Sequence, residues 1–273
     1  MAGLTPLPLA LLLLASRSAP GPCASGRPHL VLSTPDGAIV AELFEAAAPR
    51  TVARLAGLVE ARRSAPSAGS EPSKGGAGGA LVFDYTQPHV EIYSARLDAS
   101  TSFESEMDAE ALGLHEDRIR DAGQAMDVLQ HELVPAFNKA KKGGRLDPRL
   151  AAWMGRWRET SDPAFLVGAS RKEVNEALGY VYTRGLDSKP VTKGSLTLQP
   201  ESPVRAKARL GVALSDLPTR LGRQMVVGRV VQGLDLADEI STRPLAVPEG
   251  MRSLDWAPRE PVAIRDVRLE CRP

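Results

Sequence analysis

The stretch MVVGRVVQGLDLADEIS, residues 225–241, reads as a buried strand, a tight turn and a short helix. Gly228 lies within the strand and Gly233 directly after it, where a chain needs close backbone approach or a positive φ. Asp235, Asp238 and Glu239 suit the positive end of the helix that follows. These residues read as architecture rather than chemistry, and the question they set is which sheet needs such a unit.

The text upstream supplies more of that sheet. HLVLSTPDGAIVAELF (29–44) places two β-rich runs around Asp36-Gly37, a hairpin signal, with Ile39, Ala41 and Leu43 alternating against Ala38, Val40 and Glu42. APRTVARLAGLVEA (48–61) predicts a helix, with Pro49 suited to its first turn and Val52, Leu55, Leu58 and Val59 on one face. RRSAPSAGSEPSKGGAGGA (62–80) lacks the apolar residues to pack and reads as a loop, after which LVFDYTQPHVEIYSARL (81–97) returns to β-rich alternation. Strand-like text resumes at GYVYTRGL, GSLTLQP and ARLGVALSDLP and closes with EPVAIRDVRLE (260–270).

Between these parts, residues 104–189 change character. DRIRDAGQAMDVLQHELVPAFNKA (117–140) and DPRLAAWMGRWRE (147–159) have helical periodicity, the second with Leu150, Trp153, Met154 and Trp157 at one-face spacing. The segment reads as a helical insertion, its tryptophans docked onto the rest of the molecule.

Composition narrows the partners. The 273 residues are 43% hydrophobic and 25% charged, enough to bury at least one full core as one large domain or two. Thirty-four Lys and Arg against thirty-three Asp and Glu leave a formal charge of +1, so no global field favours nucleic acid or an anionic membrane. The run at 9–15 in MAGLTPLPLALLLLASRSAPGPCASG is too short to span a bilayer and is followed by small residues and prolines, the pattern of an export signal over residues 1–26. The expected destination is periplasmic or extracellular, or cytoplasmic should the leader not function. Cleavage after Ser18 keeps Cys23 alongside Cys271, whereas the small-residue ASG before Arg27 points to cleavage after Gly26 and the loss of Cys23. Lipid attachment at Cys23 is a third route, poorly matched by Pro22.

Hairpin, Pro-started helix, long loop, strand, the DLP segment, VVGRVVQGLDLADEIS and the closing PVAIRDVRLE strand together resemble the cyclophilin-type peptidyl-prolyl cis-trans isomerases. The match covers roughly residues 29–98 and 190–270, in order, and is most specific at 227–240 and 34–58. The resemblance implies a mainly β fold: an eight-stranded barrel capped by two helices, here discontinuous over 27–103 and 190–273. It implies a shallow outer groove for Xaa-Pro segments of polypeptide clients, and neither cofactor nor metal. In the family an arginine hydrogen-bonds near the prolyl nitrogen while aromatic and aliphatic side chains hold the proline ring. The barrel also makes the first and last strands neighbours, which would let Cys23 and Cys271 bridge if both are retained.

Carried over residue by residue, the groove is altered. The family's F-H-R run falls on Pro88, His89 and Val90, keeping the histidine and putting an uncharged Val90 where the catalytic arginine belongs. VEIYSARLD offers Ile92 and Tyr93 for the next run without its glutamine. S-Q-F-F corresponds to ARLG, placing Arg209 at the glutamine and Gly211 at an aromatic of the proline pocket; Thr219 and Gln224 take the aromatic and histidine positions further on. The catalytic residue is thus unassigned, with Arg209, ahead of Arg96 and Arg223, as the candidate for a replacement guanidinium. Two readings follow: an exported isomerase with a remodelled groove and weak activity, or an inactive peptide-binding or chaperone module.

Other constellations fall short of chemistry. His115-Glu116 and His131-Glu132 form no H-E-x-x-H, so no metal site is expected. No G-x-S-x-G elbow is present.

Overall fold

The computed structural model describes residues 23, 25–64, 81–143, 146–246 and 257–273. Residues 1–22 of the expected leader and 65–80 of the expected loop lie outside them. None of the described helices is long and apolar enough to cross a membrane.

The chain forms β1 (Arg27–Thr34), β2 (Gly37–Leu43), α1 (Pro49–Ser64), β3 (Leu81–Gln87), β4 (Glu91–Ser94) and the short β5 (Ser102–Glu104). Helices α2 (Ala122–Val128), α3 (Val134–Lys141), α4 (Pro148–Thr160) and α5 (Arg171–Ala177) come next. Then follow β6 (Ser195–Ser202), β7 (Arg205–Ala213), β8 (Val226–Gln232), α6 (Leu234–Ser241), β9 (Val262–Ile264) and β10 (Asp266–Arg272).

The strands make one mainly antiparallel sheet in the order β10-β1-β2-β8-β6-β7-β4-β3-β9, with β5 also on β7. Its two edges are consecutive in sequence, for Arg265 alone separates β9 from β10 and donates its N–H to Ser33 O at 2.7 Å. One bent terminal strand therefore nearly closes the sheet into a barrel. Counting β9 and β10 as that strand gives eight positions around the barrel, with β5 as an addition. The mainly β barrel with accompanying helices expected from sequence is the fold observed.

Period-two alternation fills the interior. Leu30 and Leu32 of β1, Ile39, Ala41 and Leu43 of β2, Leu196 and Leu198 of β6, and Leu210 and Val212 of β7 share one buried cluster. Helix α1 adds Val52, Leu55 and Val59, and α6 adds Ala237 and Ile240. The glycines of the opening stretch have the expected roles. A Cβ on Gly228 would strike the Glu42 carbonyl of β2, and Gly233, at φ 82°, turns the chain into α6 against Ala38. The hairpin differs in one detail: Thr34 pairs with Gly37, so Pro35 and Asp36 form the turn and Gly37 already belongs to β2.

The helices between β5 and β6 build a second core from Ile119, Ala125, Val128, Leu129, Leu133, Phe137, Leu150, Met154, Leu166, Val174 and Ala177. Trp153 and Trp157 pack half-buried against this core and not against the barrel, correcting the expected docking. Their partners come from neighbouring helices, which periodicity alone cannot identify. Between α2 and α3 the helix widens into a π turn at Leu129–Leu133, with Val134 N–H donating to Leu129 O. Pro135, which has no N–H to give, sits at the start of α3.

The boundary between the cores falls inside residues 104–189. Met107, Ala109, Leu112 and Leu114 belong to the barrel core. Buried Glu106 accepts from the Thr51 N–H at 2.7 Å and the Arg50 N–H at 3.3 Å, capping the start of α1. The insertion narrows to a neck in which Ile119 N–H donates to Ala169 O at 3.0 Å and Gly168 N–H to Ile119 O at 2.8 Å, with α5, beyond the neck, still part of the second core.

Cys23 is bonded to Cys271, with Cα atoms 5.7 Å apart. This is the bridge allowed by neighbouring first and last strands: β1 and β10 pair from Arg27↔Arg272 onward. Gly26, at φ 81°, lies so close to the Arg272 carbonyl that a side chain there would collide.

Candidate functional site

On β4, β6 and β7 the residues that do not enter the barrel point to its outer face. Tyr93 of β4 lies directly opposite Gly211 of β7, and Gly211 is opposite Thr197 of β6. The Tyr93 ring occupies the space a side chain at 211 would need: a Cβ there would lie 2.6 Å from Thr197 Oγ1 and 2.8 Å from Tyr93 Cδ1. The aromatic missing at Gly211 is thus delivered from the adjacent strand.

A polar network holds that ring. Tyr93 Oη donates to Glu91 Oε2 at 2.9 Å and accepts from Gln224 Nε2 at 2.7 Å, while Gln224 Nε2 also donates to Thr197 Oγ1 at 2.9 Å. Glu91, Tyr93 and Gln224 are each only 3% exposed. Arg220 Nη2 reaches Glu91 Oε1 at 3.3 Å, giving the buried carboxylate its cation. Burial, followed by the Glu91 charge, pushes the Tyr93 hydroxyl well above the ordinary tyrosine range, so the phenol is a neutral donor.

Arg209 occupies the same face. Nε donates to Ser94 O at 2.6 Å, Nη1 to Gln199 Oε1 at 3.2 Å, and Nη2 pairs with Asp84. Its Cζ lies 5.6 Å from the Tyr93 ring centre and 5.9 Å from that of Tyr85, within cation–π range. Tyr85 meets Tyr93 edge to face, with centroids 5.6 Å apart. The guanidinium is therefore held by three polar partners above two rings.

Residues 217–224 form a strap across this face. A single 3-10 turn, Pro218–Arg220, aims Arg220 at Glu91, and the Gln224 N–H donates back to Arg220 O at 3.2 Å. Tyr180 and Tyr182 border the strap and Val181 projects between them, 61% exposed. All four tyrosines of the chain lie in this neighbourhood, and each titrates above its ordinary value chiefly because burial disfavours the phenolate, Tyr182 rising to about 12.

Of the residues expected in the groove, the structure brings Arg209, Gly211 and Gln224 together. Thr219 sits on the exposed 3-10 turn, at the edge of the face. Ile92 belongs to the barrel core, since period two sends its neighbours Glu91 and Tyr93 outward instead. His89, at φ 57° in the β3–β4 turn, is drawn to α6: its N–H donates to Ser241 Oγ at 3.1 Å, and Nδ1 lies 2.9 Å from Asp238 Oδ1. Val90 is half-buried, and its carbonyl accepts from the Leu214 N–H. The other candidate arginines are engaged elsewhere: Arg96 with Ala99 O and Arg223 with Asn175 and Glu132.

Glu91, Tyr85, Thr197 and Arg220 are members of the face that sequence reasoning missed. Two of them, Tyr85 and Glu91, sat in an alternating strand already identified. Among the described residues no group of three His, Cys, Asp or Glu side chains is placed to hold a metal ion.

Among solved structures, the chain is similar to a cyclophilin type peptidyl-prolyl cis-trans isomerase of Cryptosporidium parvum, at 10% identity and a TM-score of 0.44, over 91% of this chain and 100% of that one. It is similar to the same protein solved in the presence of the dipeptide Ala-Pro, at 11% identity and a TM-score of 0.44, over 89% and 99% of the two chains. No family model and no curated protein matches the sequence.

Proposed function

We propose that this chain is an exported, cyclophilin-like protein that takes Xaa-Pro segments of polypeptide clients on its Tyr/Arg face and isomerises them only weakly. The observation that carries this reading is the Tyr93 ring over Gly211, locked by Glu91 and Gln224.

An isomerase must lower a barrier of about 18–20 kcal/mol that resonance places on the amide. It does so by binding the twisted form better than either planar one, which calls for a seat for the proline ring and a donor near the prolyl nitrogen. Here the seat is filled by a ring that is 3% exposed. The position expected to supply the donor is Val90, and the candidate replacement guanidinium, Arg209, is committed to Ser94, Gln199 and Asp84. Both requirements are weakened together.

Binding is better supported than catalysis. Tyr85, Tyr180 and Arg220 are partly exposed around the locked centre. Tyrosine and arginine are the residues that concentrate binding energy at interfaces, and aromatic-lined faces suit extended proline-containing segments. Export is supported by the leader pattern and by the Cys23–Cys271 bridge, which suits an oxidising compartment.

The test is a protease-independent isomerisation assay on short blocked peptides varying the residue before proline, run beside a calorimetric binding titration with the same peptides. Saturable binding with a rate close to the uncatalysed background is expected. A rate equal to that of an intact family groove would overturn the weak-activity reading, and absence of binding across the series would overturn the client-binding one.

A further inference from the structure

The strap has two sides, and each is tied to a different body. Toward the barrel, Arg220 reaches Glu91 and Gln224 reaches Tyr93 and Thr197. Toward the helical insertion, Tyr182 Oη donates to Gly222 O at 2.9 Å and accepts from Asn175 Nδ2 at 2.9 Å. Arg223 Nε donates to Asn175 Oδ1 at 2.7 Å, and its Nη2 pairs with Glu132. Asn175, on α5, is fully buried. Glu132 belongs to the π turn, where Arg171 Nη1 also holds it at 3.0 Å.

Arg223 and Gln224 are consecutive, so a displacement of the first is passed along one peptide unit to the second. The strap has little room to absorb it. Gly222 is at φ 68°, and a Cβ there would come within 3.0 Å of both Asn175 Nδ2 and Tyr182 Oη. A guanidinium is suited to this junction because its planar fork can serve an amide oxygen and a carboxylate at once, which an ammonium cannot do in one fixed geometry. Glu132 also lines a polar cleft of about 490 Å³ with Asp117, Asp127 and His131, so this tie lies next to solvent.

We propose that Glu132, Asn175 and Arg223 are positioning residues for the outer face: the helical insertion sets the place of Gln224 and, through it, of the Tyr93 ring over Gly211. The insertion is then part of the binding apparatus rather than an appendage. This rests on the reading of that face as the client surface, and the experiment separates the two claims.

The full chain is labelled with 3-fluorotyrosine, whose four resonances are assigned by single Tyr→Phe replacements. Glu132→Gln and Arg223→Lys are compared with the unaltered protein. A shift of the Tyr93 resonance in both variants is expected, with peptide affinity changed about three- to tenfold, the scale of effects passed through a packed network. Loss of thermal stability with the Tyr93 resonance and the affinity unmoved would overturn the proposal, because a purely structural tie predicts that result. Should Glu132→Gln fail to fold, Arg223→Lys, which keeps the charge opposite Glu132, decides by the same two readouts. If no peptide binds the unaltered protein, the client reading falls while the fluorine spectra still judge the positioning claim.

Discussion

Tyr93 and Gly211 occupy one site between them: a Cβ on Gly211 would lie 2.8 Å from Cδ1 of the tyrosine ring and 2.6 Å from Thr197 Oγ1. An aromatic at one position therefore requires a small residue at the other. Gly211→Ala should cost about 2 kcal/mol, the scale of overpacking a closed site, measured by urea unfolding. Tyr93→Ala combined with Gly211→Phe should recover part of that loss and move the aromatic back to β7. If Gly211→Ala is neutral, the ring is not packed as described.

The tyrosines predict a pH dependence. All four have hydroxyls raised above the ordinary value of 10 chiefly by burial, Tyr182 to about 12. The folded state thus retains protons that the unfolded state releases, so this contribution to stability is complete below pH 10 and is lost as pH rises from there through the folded values. Ultraviolet titration of the native protein should show each tyrosine less than half ionised at pH 10, with the main rise of the tyrosinate signal above it. A tyrosine titrating at its ordinary value in the folded protein would contradict the buried network.

Most of the barrel was legible because its constraints are local. Gly228 and Gly233 are needed where β8 meets β2 and where it turns into α6, and Ile39, Ala41 and Leu43 alternate into the core as their spacing required. The site was less legible because it is assembled across strands. Gly211 looked like a missing aromatic until the pairing of β4 with β7 put Tyr93 opposite it. Ile92 was assigned to the groove although the residue beside it faces outward, a one-residue difference that exchanges the two faces of a strand. The helical periodicity around Leu150 and Met154 was correct, but it carried no information on which body would cover Trp153 and Trp157.

The bridge between Cys23 and Cys271 closes nearly the whole chain, with a sequence separation of 248. Constraining so long a loop in the unfolded state should stabilise the fold by about 2–4 kcal/mol. Thermal unfolding of Cys271→Ser, or of the native protein with reductant, should show a lowered midpoint. Intact mass of protein recovered from export should include Cys23, consistent with cleavage after Ser18, and should show no free thiol before reduction. A mature chain beginning at Arg27 would rule the bridge out.

The neck predicts where the insertion can be removed. Ile119 and Gly168 are joined by a 2.8 Å backbone hydrogen bond, so a short glycine linker can replace everything between them without stretching the chain. Glu106, Met107, Leu112 and Leu114 stay in place, and with them the cap of α1 and part of the barrel core. This excision should leave one cooperative unfolding transition and a β-rich far-ultraviolet spectrum, at reduced stability because Val174 and Ala177 lose their partners. Removing residues 104–189 instead takes away the buried carboxylate that satisfies the Arg50 and Thr51 N–H groups together with the core side chains of Met107, Ala109, Leu112 and Leu114, and should abolish cooperative folding. Equal behaviour of the two excisions in denaturant titrations would mean that the barrel does not depend on Glu106 and the core side chains that follow it.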